Sequence, residues 1–167
     1  MNTNTKAKII KAVMNIIKEI NHAYIPLKTG KRLAYLAWMP VNAAQKPVPA
    51  ILEYLPYRKN DGTVYRDEIT LPATSEQGYA CVRVDIRGTG ESEGLFDDEY
   101  SEQELSDAEE VIDWLSQQAW CNGNVGMVGI SWGGFNALQV AFRQPPALKA
   151  IITICSTDDR FNEDIHF

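Results

Sequence analysis

The sequence has few of the residues that metal centres and disulfide frameworks need. Its 167 residues include two histidines and three cysteines (Cys81, Cys121 and Cys155), and no C-x-x-C spacing occurs. Two histidines argue against a histidine-rich metal site, and an odd number of cysteines argues against a disulfide framework. We interpret the cysteines as buried free thiols in a reducing compartment, which predicts a cytoplasmic protein.

Long apolar runs are also absent. No stretch approaches the roughly 18 consecutive apolar residues of a membrane-spanning helix. The composition, with 45% hydrophobic and 23% charged residues, is typical of a globular domain, and the length fits one such domain.

The first 21 residues predict an amphipathic helix. Apolar residues recur at helical spacing between Ile9 and Ile20, and the lysines among them argue against a signal peptide. Such a helix could lie on an anionic membrane, but we expect it to dock on its own protein. Residues 22–167 are expected to form the domain itself.

The charges are distributed unevenly along the chain. Residues 1–50 carry 8 Lys and Arg against 1 acidic residue, whereas residues 51–167 carry 8 against 21, for a net charge of −6. An acidic body repels the phosphates of DNA and RNA, so a nucleic-acid partner is not expected.

Strand-like and helical patterns alternate after residue 50. A hairpin is predicted at residues 23–38, and further strands at 50–54, 79–85, 125–129 and 150–155. Helices are predicted near 72–78, after the capping box Ser101–Glu104, and at 133–143. The alternation predicts an α/β fold with a mostly parallel sheet and helices on both faces. The strand near Ile151 to Ile154 is expected to be an open edge that invites self-association.

The segment Gly129-Ile130-Ser131-Trp132-Gly133 matches G-x-S-x-G, the pattern of a nucleophile elbow. It lies between a predicted strand and a predicted helix, as the motif requires. On so tight a turn the backbone is strained, and glycines are needed where side chains would collide with neighbouring backbone. The pattern predicts Ser131 as a nucleophile for acyl transfer; the alternative is an ordinary exposed serine on a strand–turn–helix.

Acyl transfer also requires donors for an oxyanion. The backbone N–H of Trp132, directly after the serine, is the first predicted donor. The loop after the strand at 50–54 lacks the glycine-rich segment that lipases use there, but Tyr57 lies just beyond that strand. The residues alone leave Tyr57 open between a packing side chain and a second donor.

A second glycine cluster follows the strand at 79–85. Gly88, Gly90 and Gly94 are spaced G-x-G-x-x-x-G, one residue longer than the dinucleotide-binding pattern, and Glu91 and Glu93 would repel a pyrophosphate. We interpret this cluster as a tight structural turn and not as a nucleotide site.

Four segments together resemble the X-Pro dipeptidyl-peptidase/cocaine esterase (CocE/NonD) hydrolase family. In chain order they are Pro56-Tyr57-Arg58-Lys59, the D-x-R-G-x-G-x-S-x-G run at 85–94, W-C-N-G-N-V-G at 120–126 and G-I-S-W-G-G at 129–134. The resemblance extends from about Ile25 to the last residue.

This resemblance implies an α/β-hydrolase fold in which Ser131 is the acylated nucleophile. It implies that the Tyr57 hydroxyl joins the Trp132 N–H as an oxyanion donor, and that neither a metal nor an organic cofactor takes part. Asp85 and Arg87 are expected to support the elbow and to perform no chemistry.

The resemblance also implies parts that the 167 residues do not contain. Members of the family are longer, with a helical cap, later loops carrying a catalytic Asp and His, and a C-terminal β-sandwich. In α/β-hydrolases the acid and the histidine follow the serine along the chain. His166 would fall where the cap begins and His22 precedes the serine, so neither is expected to be the base.

We therefore expect a serine hydrolase for small ester or peptide substrates. The chain would be its N-terminal part, ending after the strand that follows the elbow helix, and would be inactive alone. The alternatives are a catalytically inactive binding or interaction module derived from the hydrolase fold, and a membrane-surface protein that uses the N-terminal helix.

Overall fold

The computed structural model describes residues 15–163, in which six strands form one sheet flanked by helices. The strands are β1 (Ile17–Pro26), β2 (Arg32–Pro40), β3 (Val48–Leu55), β4 (Ala80–Asp85), β5 (Cys121–Ile130) and β6 (Leu148–Ile154). The helices are α1 (Val64–Glu76), α2 (Glu102–Ser116), α3 (Trp132–Arg143) and the single turn α4 (Arg160–Glu163).

The strand order in the sheet is β1-β2-β4-β3-β5-β6. The pairings of β2 with β1 and with β4 are antiparallel, and the remaining three pairings are parallel. This arrangement confirms the predicted α/β class and the predicted N-terminal hairpin. Because β3, β4 and β5 are parallel, the loops that follow them emerge at the same edge of the sheet.

The core occupies both faces of the sheet. On one face, α2 and α3 bury a large apolar cluster against β3, β4 and β5, with Val82 and Val84 pointing into it. On the other face, α1 packs Leu71 against Cys81 and Trp38 in a smaller cluster. Alternate residues of β4 thus serve opposite faces, as the period of two in a strand requires.

The helix predicted for residues 1–21 lies mostly outside the described residues, which begin at Asn15. The prediction is wrong for the last residues of that helix, because Ile17–Pro26 form β1. This strand pairs with β2, and its first residue, Ile17, lies opposite Pro40. The isoleucines at 16, 17 and 20 fit a helical spacing, but pairing with a neighbouring strand satisfies the same backbone groups. Tertiary contacts therefore override the local pattern here.

The helix after β3 begins earlier than predicted. The sequence predicts a helix near residues 72–78, whereas α1 spans Val64–Glu76 with Pro72 inside it. Its buried stripe is partly polar: Asp67 lies 3.7 Å from the Arg83 Nη1 atom, and the Ser75 hydroxyl donates to the Trp38 carbonyl at 2.8 Å. A stripe of Asp67, Leu71 and Ser75 at every fourth position is invisible to a search for apolar periodicity.

The three cysteines are free. Cys81 and Cys121 are buried as predicted, and burial raises the pKa of the Cys81 thiol to about 11. The prediction is wrong for Cys155, which is exposed because it comes directly after the last residue of β6, where the chain leaves the sheet. Among residues 15–163, no helix combines the length and apolar character needed to cross a bilayer.

One edge of the described sheet is formed by β6, as predicted. Ile152 and Ile154 on this strand are 62% and 44% exposed. Unpaired N–H and C=O groups on an edge strand readily pair with another chain. We expect the purified chain of residues 1–167 to self-associate increasingly with concentration in sedimentation velocity experiments.

A matched pair of variants tests this expectation. Ile152→Lys should shift the chain towards monomer, because a lysine on the edge strand discourages pairing. Ile69→Lys replaces an isoleucine on α1 that is 73% exposed and should leave the association unchanged. A wild-type chain that remains monomeric at every concentration would contradict the prediction.

Candidate active site

The Ser131 turn, residues 129–134, connects β5 to α3. Ser131 has φ 55° and ψ −115°, in a region that costs a residue with a side chain roughly 1–3 kcal/mol. Its N–H donates to the Ile154 carbonyl at 2.8 Å, and its carbonyl accepts from the Phe135 N–H at 3.0 Å. The side chain is exposed and makes no hydrogen bond to cap the helix. The hydroxyl is therefore free to meet an incoming molecule.

The glycines around Ser131 leave no room for side chains. A Cβ atom on Gly129 would lie 2.1 Å from the carbonyl carbon of Gly133, and a Cβ atom on Gly134 would lie 2.6 Å from the Ser156 Oγ atom. Real Cβ contacts essentially never approach that closely. The steric reason for Gly129 in G-x-S-x-G, inferred from the pattern, is thus present at this turn, and Gly134 just after the motif is confined as well.

Tyr57 and Trp132 lie together beside the serine. The Trp132 backbone N–H donates to the Tyr57 hydroxyl at 3.3 Å, although the two residues are 75 positions apart. Tyr57 comes two residues after the end of β3, and Trp132 begins α3 after β5, the neighbour of β3 in the sheet. The two polar groups predicted as oxyanion donors are therefore brought within hydrogen-bond distance of each other.

The loop that carries Tyr57 is held by Asp85 at the end of β4. The Asp85 carboxylate accepts from the Lys59 N–H at 2.6 Å and from the Glu91 N–H at 3.2 Å. Burial raises the pKa of Asp85, and these two N–H donors act in the opposite direction. The buried Lys59 ammonium also pairs with the Glu91 carboxylate. The glycine-rich turn after β4 thus fastens the Tyr57 loop.

Asp85 and Arg87 act on the neighbours of the Ser131 turn. The hydrogen bonds of the Asp85 carboxylate go to the Tyr57 loop and to Glu91. Arg87 binds the Asp107 carboxylate on α2 through Nε and Nη2, each at 2.7 Å. These bonds fix the loop and the helix on either side of the Ser131 turn, and the expectation that Asp85 and Arg87 support the elbow stays a prediction.

Sequence reasoning missed a buried carboxylate next to Trp132. Glu104 on α2 accepts from the Trp132 indole Nε1–H at 2.8 Å and from the Asn136 amide at 2.7 Å. Burial raises the pKa of Glu104, and these two hydrogen bonds lower it. The signal was available: Glu104 lies four residues before Ala108, on the apolar face of α2. The S-x-x-E pattern assigns Glu104 to the capping box at the start of α2 and does not indicate its contact with Trp132.

The described residues place no histidine near Ser131. His22 lies on β1, four strands from β5, which at about 4.8 Å per strand is roughly 19 Å. Its Nδ1 atom is 3.4 Å from the Glu91 carboxylate, and His166 lies outside the described residues. Within residues 15–163, no cluster of three His, Cys, Asp or Glu side chains could hold a metal ion.

Comparison with known families gives a decisive match. Residues 29–167 match the X-Pro dipeptidyl-peptidase (S15 family) profile. The chain belongs to this family. The S15 match contains both Tyr57 and the Ser131 turn, and it begins within the hairpin that joins β1 to β2.

Relatives of this S15 chain include esterases and peptidases. Cocaine esterase from Rhodococcus sp. (strain MB1 Bresler) is 35% identical over 142 residues, which cover 84% of this chain and 24% of that protein. A putative Xaa-Pro dipeptidyl-peptidase from Streptomyces avermitilis is 37% identical over 93 residues, which cover 47% of this chain and 14% of that protein.

Solved structures agree with the S15 assignment. A CocE/NonD family hydrolase from Staphylococcus aureus superposes with a TM-score of 0.70 at 25% identity, covering 81% of this chain and 27% of that one. The fold is therefore that of the α/β-hydrolases, as predicted. The chain spans about a quarter of the length of the curated relatives that it matches over most of its own length.

Proposed function

We propose that the chain is the N-terminal part of a serine hydrolase that cleaves ester or amide bonds through an acyl-enzyme on Ser131. One observation carries the proposal: an exposed serine on a strained strand-to-helix turn, directly beside the paired Tyr57 hydroxyl and Trp132 N–H. A nucleophile with two oxyanion donors next to it supplies two of the parts that acyl transfer needs, and the third is a general base.

In the proposed reaction the Ser131 Oγ atom attacks the substrate carbonyl carbon and gives its proton to a histidine from outside residues 15–163. The carbonyl oxygen becomes an oxyanion and accepts from the Tyr57 O–H and the Trp132 N–H. To do so, the Trp132 N–H exchanges its hydrogen bond to the Tyr57 oxygen for one to the oxyanion, and the Tyr57 hydroxyl directs its own proton to the same oxyanion. The bond to the leaving group then breaks, the histidine protonates that group, and water releases the acyl group by the same steps.

The relatives support a proposal for the substrate class. One is named a cocaine esterase and another a putative Xaa-Pro dipeptidyl-peptidase, and both names describe attack on a carbonyl with an oxygen or nitrogen leaving group. We propose a small ester or an X-Pro peptide as the substrate. The three free cysteines support a reducing, cytoplasmic setting for the reaction.

A comparison of two purified proteins tests the proposal: the longer enzyme that carries residues 1–167, and residues 1–167 alone. We expect the longer enzyme to hydrolyse p-nitrophenyl esters or an X-Pro p-nitroanilide. We expect little or no turnover by residues 1–167, because a serine without a base is a poor nucleophile at neutral pH.

The outcomes separate the alternatives. Ester hydrolysis by residues 1–167 that Ser131→Ala abolishes would contradict the expected inactivity and bring His166 back as a candidate for the base. A folded longer protein that hydrolyses neither class of substrate would instead favour an inactive binding module derived from the hydrolase fold.

A further inference from the structure

We propose that Glu104 is a positioning residue of the active site, because its carboxylate holds the Trp132 side chain and thereby the backbone N–H of the same residue. This inference rests on the proposed function, since it concerns one of the two oxyanion donors. It adds a residue from α2, a helix that contributes none of the groups predicted to react.

Trp132 is held through both its backbone and its side chain. Its backbone N–H lies 3.3 Å from the Tyr57 hydroxyl, and its indole Nε1–H donates to the Glu104 Oε1 atom at 2.8 Å. The ring packs against Phe96 and Tyr100, with centroid distances of 5.6 Å and 5.0 Å. Because one residue carries both N–H groups, restraining the indole also restrains the peptide that precedes it.

The Glu104 carboxylate is well placed for this task. Only 4% of the residue is exposed, and Oε1 accepts from both Trp132 and Asn136, which lie one turn apart on α3. The second oxygen, Oε2, accepts from the Tyr100 backbone N–H at 3.0 Å. All three partners are donors, so an ionised carboxylate satisfies every one of them. The carboxylate thus ties the first turn of α3 to α2.

The ion pairs between α2 and α3 within residues 15–163 hold a different end of the helix. Arg143, at the last turn of α3, pairs with Glu102 and Glu109. Glu104 alone among the α2 carboxylates in residues 15–163 binds the first turn of α3. That turn follows Ser131 directly, and a misplacement of about 1 Å at a reacting centre can cost about 100-fold in rate.

Three variants of the longer enzyme test the inference. Glu104→Leu removes both side-chain oxygens that accept hydrogen bonds, and Trp132→Phe removes the indole donor. Glu104→Gln keeps one side-chain oxygen, which can still accept from Trp132 and Asn136. We expect Glu104→Leu and Trp132→Phe each to lower kcat by about 10- to 100-fold with little change in KM. Glu104→Gln should keep most of the wild-type kcat. Asp113→Asn, which removes an exposed carboxylate from the same helix, is the matched control and should change neither constant.

A double-mutant cycle identifies the route of the effect. If Glu104 acts through the indole, kcat of the Glu104→Leu/Trp132→Phe enzyme should be no lower than that of the worse single variant. Losses that multiply would overturn the proposal, as would variants that melt earlier but keep the wild-type kcat per folded molecule. If Glu104→Leu fails to fold, the kcat values of Trp132→Phe and Glu104→Gln still test the proposal.

A measurement on residues 1–167 separates this inference from the proposed function. In ¹H–¹⁵N spectra, the Trp132 indole and backbone N–H signals should both move in Glu104→Leu and stay close to wild type in Glu104→Gln. An indole signal that moves without the backbone signal would overturn the coupling between them. Hydrolysis by the longer enzyme that survives Ser131→Ala would overturn the proposed function, whatever the spectra show.

Discussion

Replacing Ser131 with alanine is expected to abolish hydrolysis by the longer enzyme, with a loss in kcat of at least about 10⁴-fold. The variant keeps the Cβ atom and so the same backbone strain at φ 55°, but it has no oxygen to attack a carbonyl. The exposed hydroxyl makes no hydrogen bond to the helix, so its removal should hardly change the melting temperature. Steady-state hydrolysis of a p-nitrophenyl ester measures the loss.

Two further observations make this experiment specific. Ser116→Ala, which removes a serine hydroxyl from the end of α2, should leave kcat unchanged, because within residues 15–163 that hydroxyl bonds to the Asp113 carbonyl of its own helix. A fluorophosphonate should add one covalent label to the wild-type enzyme and none to Ser131→Ala. If Ser131→Ala retained a tenth or more of the activity, another residue would be the nucleophile.

Tyr57→Phe is expected to lower kcat by about 10²–10³-fold, the usual effect of removing one oxyanion donor. Phenylalanine keeps the ring and loses only the hydroxyl that lies 3.3 Å from the Trp132 N–H. The oxyanion forms only after the substrate has bound, in the transition state and the tetrahedral intermediate, so KM should change little. Kinetic constants for one ester, determined over a range of concentrations, separate the two parameters.

The control for Tyr57→Phe is a tyrosine that contacts no part of the site. Tyr65 on α1 is 81% exposed, and Tyr65→Phe should leave both kcat and KM unchanged. A Tyr57→Phe enzyme with a raised KM and an unaltered kcat would assign the hydroxyl to substrate binding. Unaltered constants would return Tyr57 to the role of a packing residue.

The central part of the fold could be predicted because local signals and tertiary structure agree there. β3, β4, β5 and α3 are bounded by glycine, proline or polar turns, and their apolar residues fit the period of two or of 3.6. The serine is identified by the same agreement, since G-x-S-x-G stands between a strand and a helix. No long-range information is needed to place it at that turn.

The residues that escaped prediction are polar and buried. Asp67, Ser75 and Glu104 each lie on the inner face of a helix, where apolar residues are expected, and each is satisfied by a partner distant in sequence. A pattern of hydrophobicity reports such positions as exposed. The start of α1 was missed for this reason, and so was the support for Trp132.

Tyr57 illustrates a different limit. Its distance from Trp132 depends on β3 lying beside β5, a pairing that no local pattern specifies. The resemblance to a known family, and not the residues themselves, indicates its proposed role.

The separation of 75 positions between Tyr57 and Trp132 also has a kinetic consequence. Neither hairpin formation nor any single helix can bring these two groups together, because they meet only once β3 has paired with β5. Along the chain, α1, β4 and α2 lie between those two strands. Contacts so distant along the chain form slowly, since the loop between them must first be closed. During refolding, helical signal should therefore return before the tyrosine–tryptophan contact, and catalytic competence should be among the last properties to reappear.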